Sequence, residues 1–188
     1  MSEKSKADWL RPWKRLGSRE IFANKWMRVQ IDRVELPDGQ PYDYTLIHRF
    51  TDGVAVLLFD DQNRVLLERE YRYPVDSVIW QLPGGLADRD EEPLVAIQRE
   101  LAEETGYAAD EWEYLGAFWD NPAMSAMKIH MFLARGPHNS AATNFDRAEF
   151  VAVEWRSWEW VKDAVRSGEI KERVLLSALG ILLARGQC

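Results

Sequence analysis

Glutamates 100, 103 and 104 stand in the segment "RELAEETGY" at the spacing i, i+3, i+4. On a helix that spacing puts three carboxylates in one sector roughly 100° wide, where like charges repel by about a few tenths of a kcal/mol per pair. A divalent cation would relieve the repulsion. Mg2+ takes oxygen ligands, keeps several waters and shares its coordination with substrate phosphates. A bound metal of this kind neutralises phosphate charge and lowers the pKa of a coordinated water. Glu100, Glu103 and Glu104 with a nearby loop carbonyl, such as that of Gly84, meet this demand. A solvated acidic helix face is the plainer explanation of the same three residues, because Glu-rich surface helices are common.

The surrounding elements must hold these side chains in place. Pro93 suits the first turn of a helix, Asp90, Glu91 and Glu92 suit its positive end, and Gly106 suits its C′ position. Leu94, Ile97 and Leu101 give that helix an apolar stripe for a core. Before it, "WMRVQIDRVEL" and "YDYTLIHRF" alternate apolar and polar residues around "PDGQ", which predicts a β-hairpin. "GVAVLLFD" and "RVLLEREYRY" predict a second hairpin across "DDQN", its first strand apolar enough to be buried. "SVIWQLP" is a short strand ended by proline and the Gly84–Gly85 pair. Further strands are expected at "WEYLGAFW", "MKIHMFLA" and "FVAVEW", and amphipathic helices at "SWEWVKDAVRSGEI" and "KERVLLSALGILLAR". Residues 1–16 are basic and Trp-containing and read as a loose arm. The order of strands, helix, strands and helices predicts an α+β layered domain.

Bulk composition limits the function classes. A chain of 188 residues suits one domain, or one domain with a small extension. The formal net charge of −7 argues against nucleic acid as a partner. The single cysteine, Cys188, allows no disulfide within the chain and fits a reducing compartment. No apolar run resembles a signal peptide or a membrane span. The expectation is a cytoplasmic protein with no membrane partner. Nine tryptophans is a high count, and tryptophan is a residue that stacks nucleobases as well as filling cores. His48, His130 and His138 show no metal-ligand spacing and read as structural.

The complete spacing separates the two explanations of the glutamates. Gly85 is followed by five residues and Glu91, then seven residues, then Arg99, Glu100, Leu101, Glu103, Glu104 and Gly106. This resembles the Nudix box, with Tyr107 standing where that family usually has an aliphatic residue. The resemblance implies a Nudix α/β/α sandwich with a mixed β-sheet. It implies that Glu100, Glu103 and Glu104, with Gly84, bind Mg2+ or Mn2+, and that Arg99 pairs with Glu91 to orient the catalytic helix. It also implies hydrolysis of a nucleoside diphosphate linked to another group, by metal-assisted attack of water on one phosphorus.

Outside the box the chain resembles the ADP-ribose and nucleoside-diphosphate-sugar branch. Pro122 in "WDNPAMS" lies sixteen residues after Gly106, where that branch tends to have proline. "EREYRYPVDSVIWQLPGG" resembles the segment whose arginine, here Arg72, contacts the diphosphate; Arg69 and Glu70 sit beside that path. "NKWMRVQIDRVELPDGQPYDYTLIHR" resembles an N-terminal antiparallel sheet used for dimerisation, with Trp26 matching a base-stacking aromatic and Tyr44 near a second one. "DRAEFVAVEW" resembles a loop and strand carrying the catalytic base, here Glu149, with Asp146 as the alternative. Met124, beside Ala123, matches a residue lining the leaving-group side.

The resemblance therefore divides the chain into residues 1–50, an arm and dimerisation hairpin that binds the base, and residues 51–188, the catalytic domain. It implies a homodimer that cleaves a nucleotide sugar into a nucleoside monophosphate and a sugar phosphate. Two alternatives stay open: a Nudix hydrolase of another nucleotide, such as a dinucleoside polyphosphate or capped RNA, and a sensor that binds a nucleotide sugar without cleaving it.

Overall fold

The computed structural model of the protein describes residues 9–140 and 151–187. The chain divides into two compact units, one formed by Met1–Phe50 with Trp119–Met127 and the other by Thr51–Phe118 with Lys128–Cys188.

The first unit is an antiparallel sheet in the order β1-β2-β3, with β1 Lys14–Ala23, β2 Met27–Glu35 and β3 Pro41–Arg49. The expected "PDGQ" hairpin joins β2 to β3. Leu36 N donates to the Gln40 carbonyl at 2.8 Å, and Gly39 takes φ 86°, which a glycine adopts without a Cβ clash. β1 was not expected: residues 14–16 begin a strand and do not form a loose arm. Its pairing with β2 slips between Arg15 and Gly17 and again between Glu20 and Phe22. Each slip inserts a residue, Leu16 and Ile21, and breaks the two-residue alternation by which a strand is recognised. The segment 119–127, assigned from sequence to the catalytic domain, groups with this unit. Ile47 N donates to the Met124 carbonyl at 2.8 Å, and the Tyr44 hydroxyl donates to the Ala123 carbonyl at 2.6 Å.

The second unit is built on a six-stranded mixed sheet. Its strands are β4 Gly53–Phe59, β5 Arg64–Arg72, β6 Ser77–Gln81, β7 Tyr107–Trp119, β8 Lys128–Asn139 and β9 Val151–Ser157. The order is β6-β5-β4-β8-β7, with β9 also paired to β5. β4 and β8 run parallel, while β5 is antiparallel to β4, β6 and β9. Every residue of β4 is buried, as its continuous apolar run requires.

Three helices accompany the sheet: α1 Pro93–Thr105, α2 Trp158–Ser167 and α3 Arg173–Arg185. α1 begins with Pro93 in its first turn and stops at Gly106, whose φ of 73° returns its N–H to the Ala102 carbonyl. α2 is capped by the Ser157 hydroxyl, which accepts from Trp160 N, and α3 by the Glu172 carboxylate, which accepts from Leu175 N. Ala96, Ile97 and Leu101 of α1 pack with Val54, Val56 and Leu58 of β4, Leu66 of β5 and Phe132 of β8. Burying Ile97 and Leu101 contributes roughly 1.5–3 kcal/mol each. Leu94, expected in this stripe, is exposed. It lies on the same side of the helix as Ile97 and Leu101 but in the first turn, at the end of α1 where the buried sector of Ala96, Ile97, Leu101 and Glu104 has not yet begun. No described helix is long and apolar enough to cross a membrane.

Candidate active site

The loop from Pro83 to Leu86 lies along the start of β4. Val56 N donates to the Pro83 carbonyl at 3.1 Å and Val54 N to the Gly85 carbonyl at 2.9 Å. Both flanking carbonyls thus point at β4, which turns the Gly84 carbonyl away from it. Gly84 takes φ 150°, and a Cβ there would lie 2.2 Å from the Val54 carbonyl oxygen, so the close approach requires glycine. Its N–H donates to Glu104 Oε2 at 3.0 Å, tying the loop to α1. Gly85 answers a different constraint. A Cβ on it would sit 2.6 Å from Glu100 Cδ and 2.7 Å from both carboxylate oxygens. The glycine pair therefore brings backbone against β4 and leaves room for a carboxylate.

Arg99 organises the acidic residues. Its Nε donates to Glu91 Oε1 at 3.1 Å and its Nη2 to Glu91 Oε2 at 2.9 Å, a bidentate pair. Nη1 reaches Glu100 Oε1 at 2.9 Å and Glu103 Oε2 at 3.2 Å, and Nη2 also reaches the Leu86 carbonyl at 3.3 Å. One guanidinium thus links the loop, the segment before α1 and two of the three glutamates. The Arg99 hydrogen bond holds the Glu91 carboxyl below its ordinary range, and the same pair raises the Arg99 pKa further.

Glu104 faces inward and is buried, hydrogen-bonded to Gly84 N. Beside it lies Glu68 of β5, 0% exposed. Burial pushes the Glu68 carboxyl up to about 7, opposed by its hydrogen bonds with Gln81 and Glu104. Sequence reasoning missed Glu68 and Gln81. Their signal was the run "RVLLEREYR", in which Glu68 and Glu70 occupy the same alternate positions as the core residue Leu66. Two acids on the buried face of a strand need partners in the interior.

The donors fit a hard divalent cation. Glu100, Glu103 and Glu104 offer only oxygen, and the lack of a Cβ on Gly85 makes room for the Glu100 carboxylate against the loop. Among the described residues no three His, Cys, Asp or Glu side chains are gathered closely enough to hold a metal ion by themselves. Glu100 and Glu103 are turned to Arg99 and Glu104 to the Gly84 N–H, and a Mg2+-type ion takes much of its shell from substrate phosphates and water.

Arg72, at the end of β5, is half-exposed. Its Nε donates to Gln81 Oε1 at 3.1 Å and its Nη2 pairs with Glu70 Oε2 at 2.9 Å. Arg69 faces the other side of β5, over the Trp80 ring at 5.1 Å and 3.6 Å from Glu154. His130 is fixed by Tyr114 at 3.0 Å and Asp52 at 3.2 Å, in keeping with a structural role.

In the first unit, the 119–127 segment is bound to β3 through Tyr44 at Ala123 and through Ile47 at Met124. Tyr44 also lines a cavity of ≈ 370 Å³ with Trp9, Trp13, Leu36, Pro37, Asp38 and Tyr42, and its ring meets Trp13 at 5.9 Å between centroids. Trp26 is exposed, with Lys25 Nζ 4.3 Å from its ring centroid. The register pairs Tyr44 with Asp32 and Met27 with Arg49, so Trp26 lies roughly 20 Å along the sheet from Tyr44. Glu149 and Asp146 lie outside the described residues.

Comparison with known proteins agrees with this arrangement. Residues 49–176 match the NUDIX domain, and residues 13–47 match the nucleoside diphosphate sugar hydrolase N-terminal domain. The chain is 31% identical over 158 residues to the ADP-ribose pyrophosphatase of Bacillus subtilis (strain 168), covering 84% of this chain and 85% of that one. It is 33% identical over 139 residues to the methanol dehydrogenase activator of Bacillus methanolicus, covering 73% and 75%. A crystal structure of an ADP compounds hydrolase superposes with a TM-score of 0.82 at 22% identity, over 95% of this chain and 97% of that one, and so shares the fold. The mixed sheet and the carboxylate helix define a Nudix-type domain, and the chain belongs to the Nudix hydrolase family. Within that family its N-terminal sheet places it with the nucleoside diphosphate sugar hydrolases. Nudix hydrolases generally need divalent metal ions.

Proposed function

We propose that this chain hydrolyses the diphosphate bond of a nucleoside diphosphate sugar of the ADP-ribose type, giving a nucleoside monophosphate and a sugar phosphate. The observation that carries this reading is the grip of Arg99 on Glu91 beside Glu100, Glu103 and Glu104, with the Gly84–Gly85 loop tied to the same helix. The assignment of ADP-ribose draws on the N-terminal domain match and the pyrophosphatase relative.

Mg2+, or Mn2+ in its place, would be held by Glu100, Glu103, Glu104 and the Gly84 carbonyl. When bound it supplies charge neutralisation for the diphosphate and lowers the pKa of a water. Arg72 binds the diphosphate. Its Nη1 makes no hydrogen bond among the described residues, so one corner of the fork is open to a phosphate oxygen. Arg99 and Glu91 keep α1 in register with the loop. Glu149 takes the proton of the attacking water, with Asp146 as the alternative base. Positioning and electrostatic stabilisation carry most of such a reaction.

Trp26 and Tyr44 bind the base, and Met124 lines the leaving-group side. Separated by roughly 20 Å in one sheet, the two aromatics cannot face one base from the same chain. A slot made from both needs Trp26 of one copy and Tyr44 of another, which supports a homodimer. The negative charge supports a small-molecule substrate over nucleic acid, and the single cysteine supports a cytoplasmic location.

The test is a panel of ADP-ribose, ADP-glucose, UDP-glucose, GDP-mannose, NADH and a diadenosine polyphosphate, each incubated with Mg2+ or Mn2+ and assayed for phosphatase-sensitive product. Preference for a nucleotide sugar is the expected result. Cleavage of the polyphosphate alone would discard the base and sugar assignments, and tight binding without turnover would identify a sensor.

A further inference from the structure

β5 and β6 carry a network of polar side chains around the half-exposed Arg72. Glu68, Glu70 and Arg72 alternate along β5 and share a face, and Gln81 stands directly opposite Glu68 on β6. Gln81 is 6% exposed. Its Nε2 donates to Glu70 Oε2 at 2.8 Å and to Glu68 Oε2 at 3.3 Å, while its Oε1 accepts from Arg72 Nε at 3.1 Å. Arg72 Nη2 returns to the same Glu70 oxygen at 2.9 Å, closing a ring of three side chains. Glu68 in turn meets the Glu104 carboxyl of α1.

We propose that Gln81 is a positioning residue that fixes the Arg72 guanidinium against Glu70 and, through Glu68, ties it to Glu104. The phosphate-binding cation and the metal-side carboxylate are thereby held in one register. This inference rests on the Nudix reading proposed above. The chemistry of the amide is specific to the task. Both of its N–H donors and its oxygen are used, each toward a different charged residue. A glutamate at 81 would offer no donor to Glu68 and Glu70 when ionised, and an apolar residue would offer no acceptor to Arg72. Without that acceptor, Glu70 alone would hold Arg72 by Nη2, and the direction of Nη1 would no longer be set.

A double-mutant cycle tests the proposal. Gln81→Met conserves volume and removes every hydrogen bond of the amide. It is expected to raise KM for ADP-ribose by about tenfold, the equivalent of one charge-assisted hydrogen bond. In an Arg72→Ala background the same change should add less than about twofold, since residues acting through one another are not additive. Calorimetric binding of inorganic pyrophosphate without metal should follow the same pattern. Effects that multiply in the double variant, or pyrophosphate binding unchanged by Gln81→Met, would overturn the proposal. If Gln81→Met does not fold, Arg72→Lys on its half-exposed side chain replaces it. That variant keeps the charge but cannot offer Nε to Gln81, and unchanged pyrophosphate binding would again overturn the idea. Lack of hydrolysis of every nucleotide by the unmodified protein would instead count against the parent reading, so the two failures are distinct.

Discussion

Glu91 holds Arg99 by two nitrogens of its guanidinium, at 3.1 and 2.9 Å, and accepts the Asp88 N–H at 2.8 Å with one of the same oxygens. The pair joins the loop before α1 to the middle of that helix, across eight residues of sequence. Because the Arg99 hydrogen bond depresses the Glu91 pKa, the folded state resists protonation of Glu91 more than the unfolded state does. Its stabilisation is therefore present above the unfolded pKa and lost as pH falls through the folded one. Glu91→Gln should lower Tm by roughly 3–6 °C at neutral pH. It should also flatten the acid limb of a Tm profile taken between about pH 3 and 6. An acid limb as steep as the unmodified protein's would show that Glu91 is not the linked group.

The two loop glycines should fail in different ways. Gly84→Ala puts a Cβ against the Val54 backbone at 2.2 Å in a conformation with φ 150°. Overpacking plus backbone strain should cost roughly 2–5 kcal/mol, seen as a lower denaturation midpoint. Gly85→Ala meets only the end of the flexible Glu100 side chain. Its expected signature is a protein of nearly unchanged midpoint whose activity needs more Mg2+ or Mn2+. Equal losses of stability in the two variants would contradict this division.

Glu104→Gln keeps an oxygen for the Gly84 N–H and removes the charge. The fold should survive, by circular dichroism and Tm, while turnover falls by more than about a hundredfold, as for loss of a preorganised charge-stabilising group. Retained turnover, or loss of the fold, would count against Glu104 as a metal ligand.

How far the sequence revealed this arrangement depended on whether the signal was periodic. The β2–β3 hairpin and α1 were readable because alternation, Pro93 and Gly106 all agreed. The spacing from Gly85 to Gly106 by itself marks the carboxylate helix. β1 escaped because two register slips put Leu16 and Ile21 out of phase. Glu68 and Gln81 escaped for another reason. A charged residue in a strand looks exposed until its partners are known, and these two partner each other only across strands β5 and β6. Trp26 and Tyr44 were legible as aromatics of the N-terminal sheet, but their separation became visible only through the β2–β3 register.

That separation supplies a prediction about the base. Trp26 is 55% exposed and lies at the end of the turn before β2, where Asn24 Oδ1 accepts both its own N–H and that of Met27 at 2.9 Å. The backbone at Trp26 is thus fixed independently of its ring, and Trp26→Ala should leave Tm almost unchanged. If the ring stacks on the base, its removal costs about 1–3 kcal/mol of substrate binding, a rise in KM of roughly 5- to 150-fold with kcat little altered. Tyr44→Phe removes the hydroxyl bond to the Ala123 carbonyl but keeps a ring, so it should raise KM less. Mixing Trp26→Ala protein with Tyr44→Ala protein gives a sharper result. If each slot draws one aromatic from each copy, a heterodimer of the two variants contains one intact slot and one lacking both rings. About half of its sites should then regain the unmodified KM, whereas neither variant alone has any. Steady-state kinetics after co-refolding would read this directly, and no gain over the separate variants would rule out a base slot shared between copies.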